Sequence, residues 1–488
     1  MSYPGADLRS TVESYIAGHQ SEIFVELVKL LSIPNVAANK ADIERNAEFL
    51  CDMLERRGMT AEILPTQGNP LVYGERRIAG AKRTMLFYAH YDGQPVDPAR
   101  WKTGQPFRPV LFAGKMEEGA KVITSFPSNS MEPGWRLYGR SASDDKAPIV
   151  ALCTALDALK AAGRGPGSNL RVVLDGEEEA GSLSMNAAVD RYREKLQADV
   201  MIILDGPLHP SGRPTLNFGA RGIVTLGLTV YGPKFALHSG HYGNWVPNPA
   251  MRLAQLLATM KDEQGRVLIR GFNQGIPRLK AEELRLQKEV PDDLERLKRL
   301  FGIAETDAVG SNLQEALQFP SLNVRGLRSA YVGADARTVI PADATAELDI
   351  RLVKETPSAQ MVEKVLAHIR KEGYHIVDQD PDDATRLKYP RLIRVTQHEA
   401  TEAYRSEMDL PECVAVTEAV KRVWGIEPIR IRTSGGTVPI SQFIRRLGFP
   451  AVSVPIVNFD NNQHGENENL RLGHLWNGIV TISALIGN

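Results

Sequence analysis

His90-x-Asp92, the pair Asp144-Asp145, the run Glu177-Glu178-Glu179, Asp205 and His464 are the side chains whose types and order could do chemistry in this sequence. Neutral imidazoles and ionised carboxylates are the ligands that a borderline divalent cation takes. A paired site shares one carboxylate between ions about 3.5–4 Å apart, and a carboxylate left free beside them can collect and return a proton. Of the ten histidines only His90 and His464 stand in such company, the latter in Asn461-Asn-Gln-His464-Gly-Glu-Asn467-Glu468. Singly, each piece has a plainer reading. An H-x-D is common, a triple glutamate is ordinarily the solvated start of a helix, and Asp144 or Asp145 would serve as an N-cap before Pro148. What raises the metal reading is that each piece follows a strand-like run.

Those runs are the elements that must position the chemistry. Arg83-Thr-Met-Leu-Phe-Tyr-Ala-His90 is a continuous apolar stretch ending in polar residues, the pattern of a strand buried on both faces of a mostly parallel sheet. Val172-Val-Leu-Asp175 and Met201-Ile-Ile-Leu-Asp205 repeat it, so histidine and carboxylates arrive at one C-terminal sheet edge, where open α/β sheets bind ligands. Helical spacing predicts helices over 7–33 and 42–58, with Gly58 as a stop, and an apolar helix over about 148–162. Residues 101–136 are rich in proline and glycine and read as a long surface excursion.

From Gly219 the texture changes to an α+β pattern: an alternating strand at 223–230, an amphipathic helix from Asn248 to Lys261, a solvated helical region at 278–301 broken at Pro291, strands near 336–340 and 345–353, and a helix at about 357–371. A helix at 411–424 and a strand at 450–456 resume the α/β texture. The expected architecture is therefore an α/β domain with a mostly parallel sheet and flanking helices, residues 1–217 plus 399–488, interrupted by an inserted α+β domain at 218–398. A chain of this length is too long for one growing core. With 58 basic and 59 acidic residues the net charge is −1, which gives no global field for nucleic acid or an anionic membrane. Cys51, Cys153 and Cys413 lack any metal or disulfide spacing. No basic-then-apolar leader and no run near 20 apolar residues is present, so a cytoplasmic location is expected.

Taken together, His90-x-Asp92, Gly139-Arg-Ser-Ala-Ser-Asp144-Asp145-Lys, Gly176-Glu-Glu178-Glu179-Ala-Gly-Ser182, Asp205 and His464-x-x-Asn-Glu468 resemble the successive motifs of the M20 family of co-catalytic zinc peptidases. Stretches at Leu237-His238-Ser-Gly240, Thr338-Val-Ile-Pro341, Ile350-Arg351 and Gly435-Gly436-Thr437 are similar to those of its carnosinase-like cytosolic dipeptidases. The resemblance implies two divalent ions, Zn²⁺ with Mn²⁺ or Co²⁺ as alternatives, bridged by Asp144. His90 and Asp205 would complete one site, Glu179 and His464 the other. Glu178 would be the general base and Asp92 would orient His90. It also implies a homodimer formed through the inserted domain, in which His238 reaches the partner's active site to stabilise an oxyanion, unless it is a loop histidine bonded locally. Arg351 with Gly435, Gly436 and Thr437 would hold a substrate carboxylate, the alternative for Arg351 being a structural ion pair, and Asn323 stands where related dipeptidases carry a lid asparagine. Ser141, Ala147 and Ser434 depart from the family pattern, the last at the substrate end. The function implied is hydrolysis of an amide bond beside a free carboxylate in a small peptide, with an N-acyl amino acid amidohydrolase as the alternative and a non-catalytic binding relative as a remote one.

Overall fold

Thr84–His90 forms a strand that is buried from Met85 onward, and it lies inside an eight-stranded sheet. The computed structural model describes residues 5–125 and 130–487; residues 1–4, residues 126–129 of the excursion and residue 488 lie outside the described residues. Across the sheet the order is Thr60–Leu64, Leu71–Arg76, Asn169–Asp175, Thr84–His90, Val200–Ile203, Ala451–Ser453, Thr215–Asn217 and Ile429–Ile431. Thr84–His90 runs parallel to both neighbours, with His90 opposite Asp175, and Ala451–Ser453 runs parallel to Val200–Ile203. The two strands at the Thr60 end are antiparallel. The sheet is thus mixed at its margins and parallel where the candidate residues leave it.

The apolar runs become strands buried on both faces because helices cover them. Gly5–Leu31, Lys40–Glu55, Lys146–Ala161, Pro411–Trp424 and Leu472–Ile486 share one core with the sheet. Leu472–Ile486, buried almost throughout, had no counterpart among the expected elements; its apolar residues surround the helix, so no amphipathic face announces it. Among the described residues no helix is long and apolar enough to cross a membrane.

Two compact units emerge: residues 1–219, 405–432 and 442–488 form the first, and residues 220–404 with 433–441 the second. In the second, five strands run in the order Ser321–Arg328, Asp343–Leu352, Gly222–Tyr231, Leu392–Thr401 and His375–Val377, with helices Pro249–Met260 and Ser358–Lys371 on a separate core. Gly222–Tyr231, expected to be half-buried, is buried nearly throughout because it sits between two ten-residue neighbours. Asn248 caps the first of those helices through the amides of Ala250 and Met251.

The excursion at 101–136 is not a free surface loop. Val110–Phe112 pairs with Arg136–Tyr138, which pairs in turn with Asn469–Arg471, and Trp101, Leu111, Phe112 and Met131 are buried. These single anchors lie too far apart to create a period, which is why the composition reads as a loop.

Leu86 is fully buried in the strand that delivers His90, and truncating such a leucine leaves a cavity that costs roughly 2–5 kcal/mol. Leu86→Ala should lower stability by that amount in a denaturant titration. A loss below about 1 kcal/mol would contradict a close-packed strand at this position.

Candidate metal centre

The candidate residues come together at the C-terminal edge of the parallel strands. His90 is the last residue of its strand, Asp175 the last of the next, and Asp205 follows Val200–Ile203 by two positions. Asp144 comes from the turn before Lys146–Ala161. Asp145 occupies the N-cap position of that helix but makes no side-chain capping bond; its carboxylate instead accepts the His90 amide at 3.2 Å. The plain N-cap reading therefore fails for Asp145. The helix also begins two residues before Pro148 rather than at it.

Asp144 lies between two imidazoles. His90 Nε2 is 2.9 Å from its Oδ1, and His464 Nε2 is 3.1 Å from its Oδ2. His464 Nε2 also lies 3.4 Å from Glu179 Oε2. Ligand atoms of His90, Asp144 and Asp205 lie within 4.8 Å of one another, as do those of Asp144, Glu179 and His464. Asp144 alone belongs to both groups. The first group is largely buried, whereas His464 keeps 56% of its side chain exposed, so the second group is the one that meets solvent.

Three carboxylates shape the frame without joining either group. Asp92 Oδ1 accepts the amide of Glu178 and Oδ2 that of Glu179, both at 3.0 Å, while His90 Nδ1 approaches the Asp92 carbonyl at 3.2 Å and its Oδ1 at 3.4 Å. One buried carboxylate thereby fixes both the imidazole and the glutamate turn. Asp175 receives Ser182 Oγ at 2.6 Å and the Glu177 amide at 3.0 Å. Glu468, fully buried, accepts the amides of Ser141, Ser143 and Asp144 at 2.9 Å and Arg140 Nη1 at 2.8 Å. The sequence displays Glu468 in the His464 motif but does not disclose this task, because its partners are more than 320 positions away. Gln94 was also missed; its amide donates to Glu179 at 2.7 Å.

The remaining predicted residues lie in the second unit. Arg351 Nη1 donates to Thr437 Oγ1 at 2.7 Å and its Nε is 4.0 Å from Asp349. Asn323 donates to Asp349 at 2.8 Å. Gly435 packs beside Leu317, and Gly436 has open space where a side chain would be. His238 is exposed on a two-residue strand paired with Val339–Ile340, and its Nδ1 accepts the Gly240 amide at 3.0 Å.

The electrostatics fit a cationic occupant. Burial raises Asp205 to about 6 and Glu179 to about 7, in each case reinforced by the charge of Asp144. Burial also holds Glu178 well above the ordinary carboxyl range, with Asp205, Glu179 and Asp144 adding to it against the pull of His90. Conversely, burial opposes the charge on Asp144, yet the close approach of His464 and His90 outweighs it and keeps the group ionised. His464 is raised to about 8 by Asp144. Asp144 Oδ2 is buried and meets His464 Nε2 at 3.1 Å without a well-aligned hydrogen bond, an acceptor turned toward the second group. Crowded carboxylates and two imidazoles make a donor set for two divalent ions.

Residues 86–488 match the family model described as Peptidase family M20/M25/M40. The crystal structure of a M20 family metallo-carboxypeptidase from Sulfolobus solfataricus is 30% identical, with a TM-score of 0.74 over 96% of this chain and 98% of that one. The Cys-Gly metallodipeptidase DUG1 of Candida albicans is 28% identical over 95% of this chain and 94% of its own. The human Beta-Ala-His dipeptidase is 24% identical over 98% and 91%.

Groups held above their ordinary pKa favour the fold while protonated. For Asp205 and Glu179 that contribution is complete below the ordinary values of 3.8 and 4.5 and is lost as pH rises through about 6 and about 7. The metal-stripped protein should therefore lose thermal stability between about pH 4 and pH 7, and Zn²⁺ should restore more the higher the pH. A stripped protein whose melting temperature stays level or climbs across that interval would contradict the crowding.

Proposed function

The chain belongs to peptidase family M20/M25/M40, and on that premise we propose that it is a two-metal dipeptidase or carboxypeptidase that cuts the amide bond beside a free carboxylate. The observation that carries the reading is Asp144, one carboxylate set between two imidazoles, each with a further carboxylate of its own group. We assign His90, Asp144 and Asp205 to one ion and Asp144, Glu179 and His464 to the other. Zn²⁺ suits this cysteine-free nitrogen and oxygen set, with Mn²⁺ or Co²⁺ as alternatives. Two such ions, when bound, polarise the scissile carbonyl and acidify water.

The remaining steps belong to the chain's own side chains. Glu178 stands outside both ligand groups while its neighbour Glu179 is inside one, and the Asp92 carboxylate grips both of their amides. Such a strand-to-turn junction can point adjacent glutamates in different directions. Glu178 takes the proton from the attacking water and passes it to the leaving amine; its raised pKa suits a group that must hold a proton between the two steps. Asp92 keeps the His90 ring in place, as carboxylates behind a ligand imidazole do. Arg351 and Thr437 are the groups we assign to the substrate's free carboxylate, with Gly435, Gly436 and Asn323 beside that role, and His238 to the developing oxyanion, offered to a partner copy in a homodimer.

The names of the relatives, a metallo-carboxypeptidase and two dipeptidases, support a peptide substrate over an N-acyl amino acid. Hydrolysis of a dipeptide panel should exceed that of N-acetyl and N-succinyl amino acids when Zn²⁺ or Mn²⁺ is supplied. Glu178→Ala should lower kcat by about 10²–10⁴-fold while metal analysis still finds both ions. Unchanged turnover in that variant would remove Glu178 from its role.

A further inference from the structure

His464 sits in a loop held partly by its own hydrogen bonds, Gly465 N–H to the Asn462 carbonyl at 3.1 Å and Gln463 N–H to Asn461 Oδ1 at 2.8 Å. Asn462, His464 and Asn467 all adopt positive φ, 58°, 61° and 61°, a region that asparagine and histidine tolerate better than most residues but that is uncommon outside glycine. His90 and Asp205, by contrast, ride on or just beyond sheet strands. The two ligand groups thus differ in what supports them.

Support for the His464 loop comes from the excursion at 101–136 and from Arg100 just before it. Asp460, at the loop's entry, accepts a forked pair of bonds from Arg136, Nη2 to Oδ2 at 2.8 Å and Nη1 to Oδ1 at 3.1 Å. Lys115 Nζ adds a contact at 2.8 Å. The same Arg136 Nη1 donates at 2.7 Å to Asn469 Oδ1 at the loop's exit, so one guanidinium ties both ends together. Further along, Lys102 N–H donates to Asn467 Oδ1 at 2.8 Å and Arg100 pairs with Glu466 at 2.8 Å.

These ties are unequal. Arg100 is 67% exposed, so its pair is solvent-screened and contributes little. Arg136 is only 7% exposed and bidentate, the geometry in which a charged pair is both strong and directional. Opposing burial, Arg136 and Lys115 hold the Asp460 carboxyl well below its usual range.

We propose that Asp460, clamped by Arg136 and Lys115 of the excursion, is a positioning residue for His464, and so tunes the affinity of the second ion site without touching the first. The inference rests on the two-ion reading given above. Its reach is asymmetric because Asp144, the shared ligand, is fixed separately by Glu468 through its own amide, whereas His464 has no strand beneath it. Removing the clamp frees the loop's entry and loosens the hold on one ligand of three.

The test is a competition titration of stripped protein with Zn²⁺, reading both binding steps, on wild type, His464→Ala, Asp460→Asn and Lys115→Gln. His464→Ala identifies the second-site step. Asp460→Asn should weaken that same step by about tenfold, at the low end of what partners behind a ligand contribute, and leave the other step within about twofold. Lys115→Gln, which removes only the half-exposed arm of the clamp, should weaken the same step by a smaller factor, and it guards against a folding defect in Asp460→Asn. Equal weakening of both steps, or of neither, in both variants would overturn the positioning role while leaving two ions bound. A wild-type protein that binds fewer than two ions would overturn the two-ion reading and this inference with it.

Discussion

A carboxylate taken out of water must have its charge answered, and Asp144 is 5% exposed at the point where Asp145, Glu178, Glu179, Asp205 and Glu468 also crowd together. Two imidazoles answer it from opposite oxygens. That arrangement asks for positive charge beyond what the side chains supply, since Asp205, Glu178 and Glu179 are all pushed toward their neutral forms. Divalent cations satisfy the demand, and the rest of the first unit can be understood as the frame that keeps the demand in place. Glu468 gathers the amides of the Asp144 turn, Asp92 gathers those of the glutamate turn, and the parallel strands hold His90 level with Asp175.

This frame divides the labour between rigid and adjustable parts. One ligand group is buried and mounted largely on strands; the other ends in a histidine open to solvent on a loop with three left-handed residues. The group open to solvent is the one whose loop is tied to the excursion at 101–136. A segment with the composition of a loop thereby acquires a structural task, carried out by a few buried anchors, two short strands and one forked ion pair.

What could be read from the sequence follows the range of the interactions involved. Strands such as Thr84–His90 were legible because burial on both faces leaves an unbroken apolar run, and the helices Pro249–Met260 and Pro411–Trp424 because an amphipathic period and capping residues mark them. The clustering of His90, Asp144, Glu179, Asp205 and His464 was foreshadowed by each following a strand-like run. Leu472–Ile486 escaped because it is apolar all round, and Gly222–Tyr231 was read as half-buried because neighbouring strands leave no trace in its own residues. The partnership of Arg136 with Asp460 spans 324 positions, and neither residue has any local feature that distinguishes it from a solvated charge. Glu468 and Arg140 were visible as members of motifs, but their pairing across 328 positions left no local trace. The chain's brief return to the second unit at 433–441 was hidden for the related reason that membership of a unit is set by contacts and not by composition.

The central claim is that one carboxylate is shared by two ions. It is tested most directly by diffraction from metal-loaded crystals collected on both sides of the zinc absorption edge. The account expects two anomalous peaks about 3.5–4 Å apart, one on each side of the Asp144 carboxylate, with His90 beside one and His464 beside the other. A single peak, or a pair of peaks away from Asp144, would contradict it.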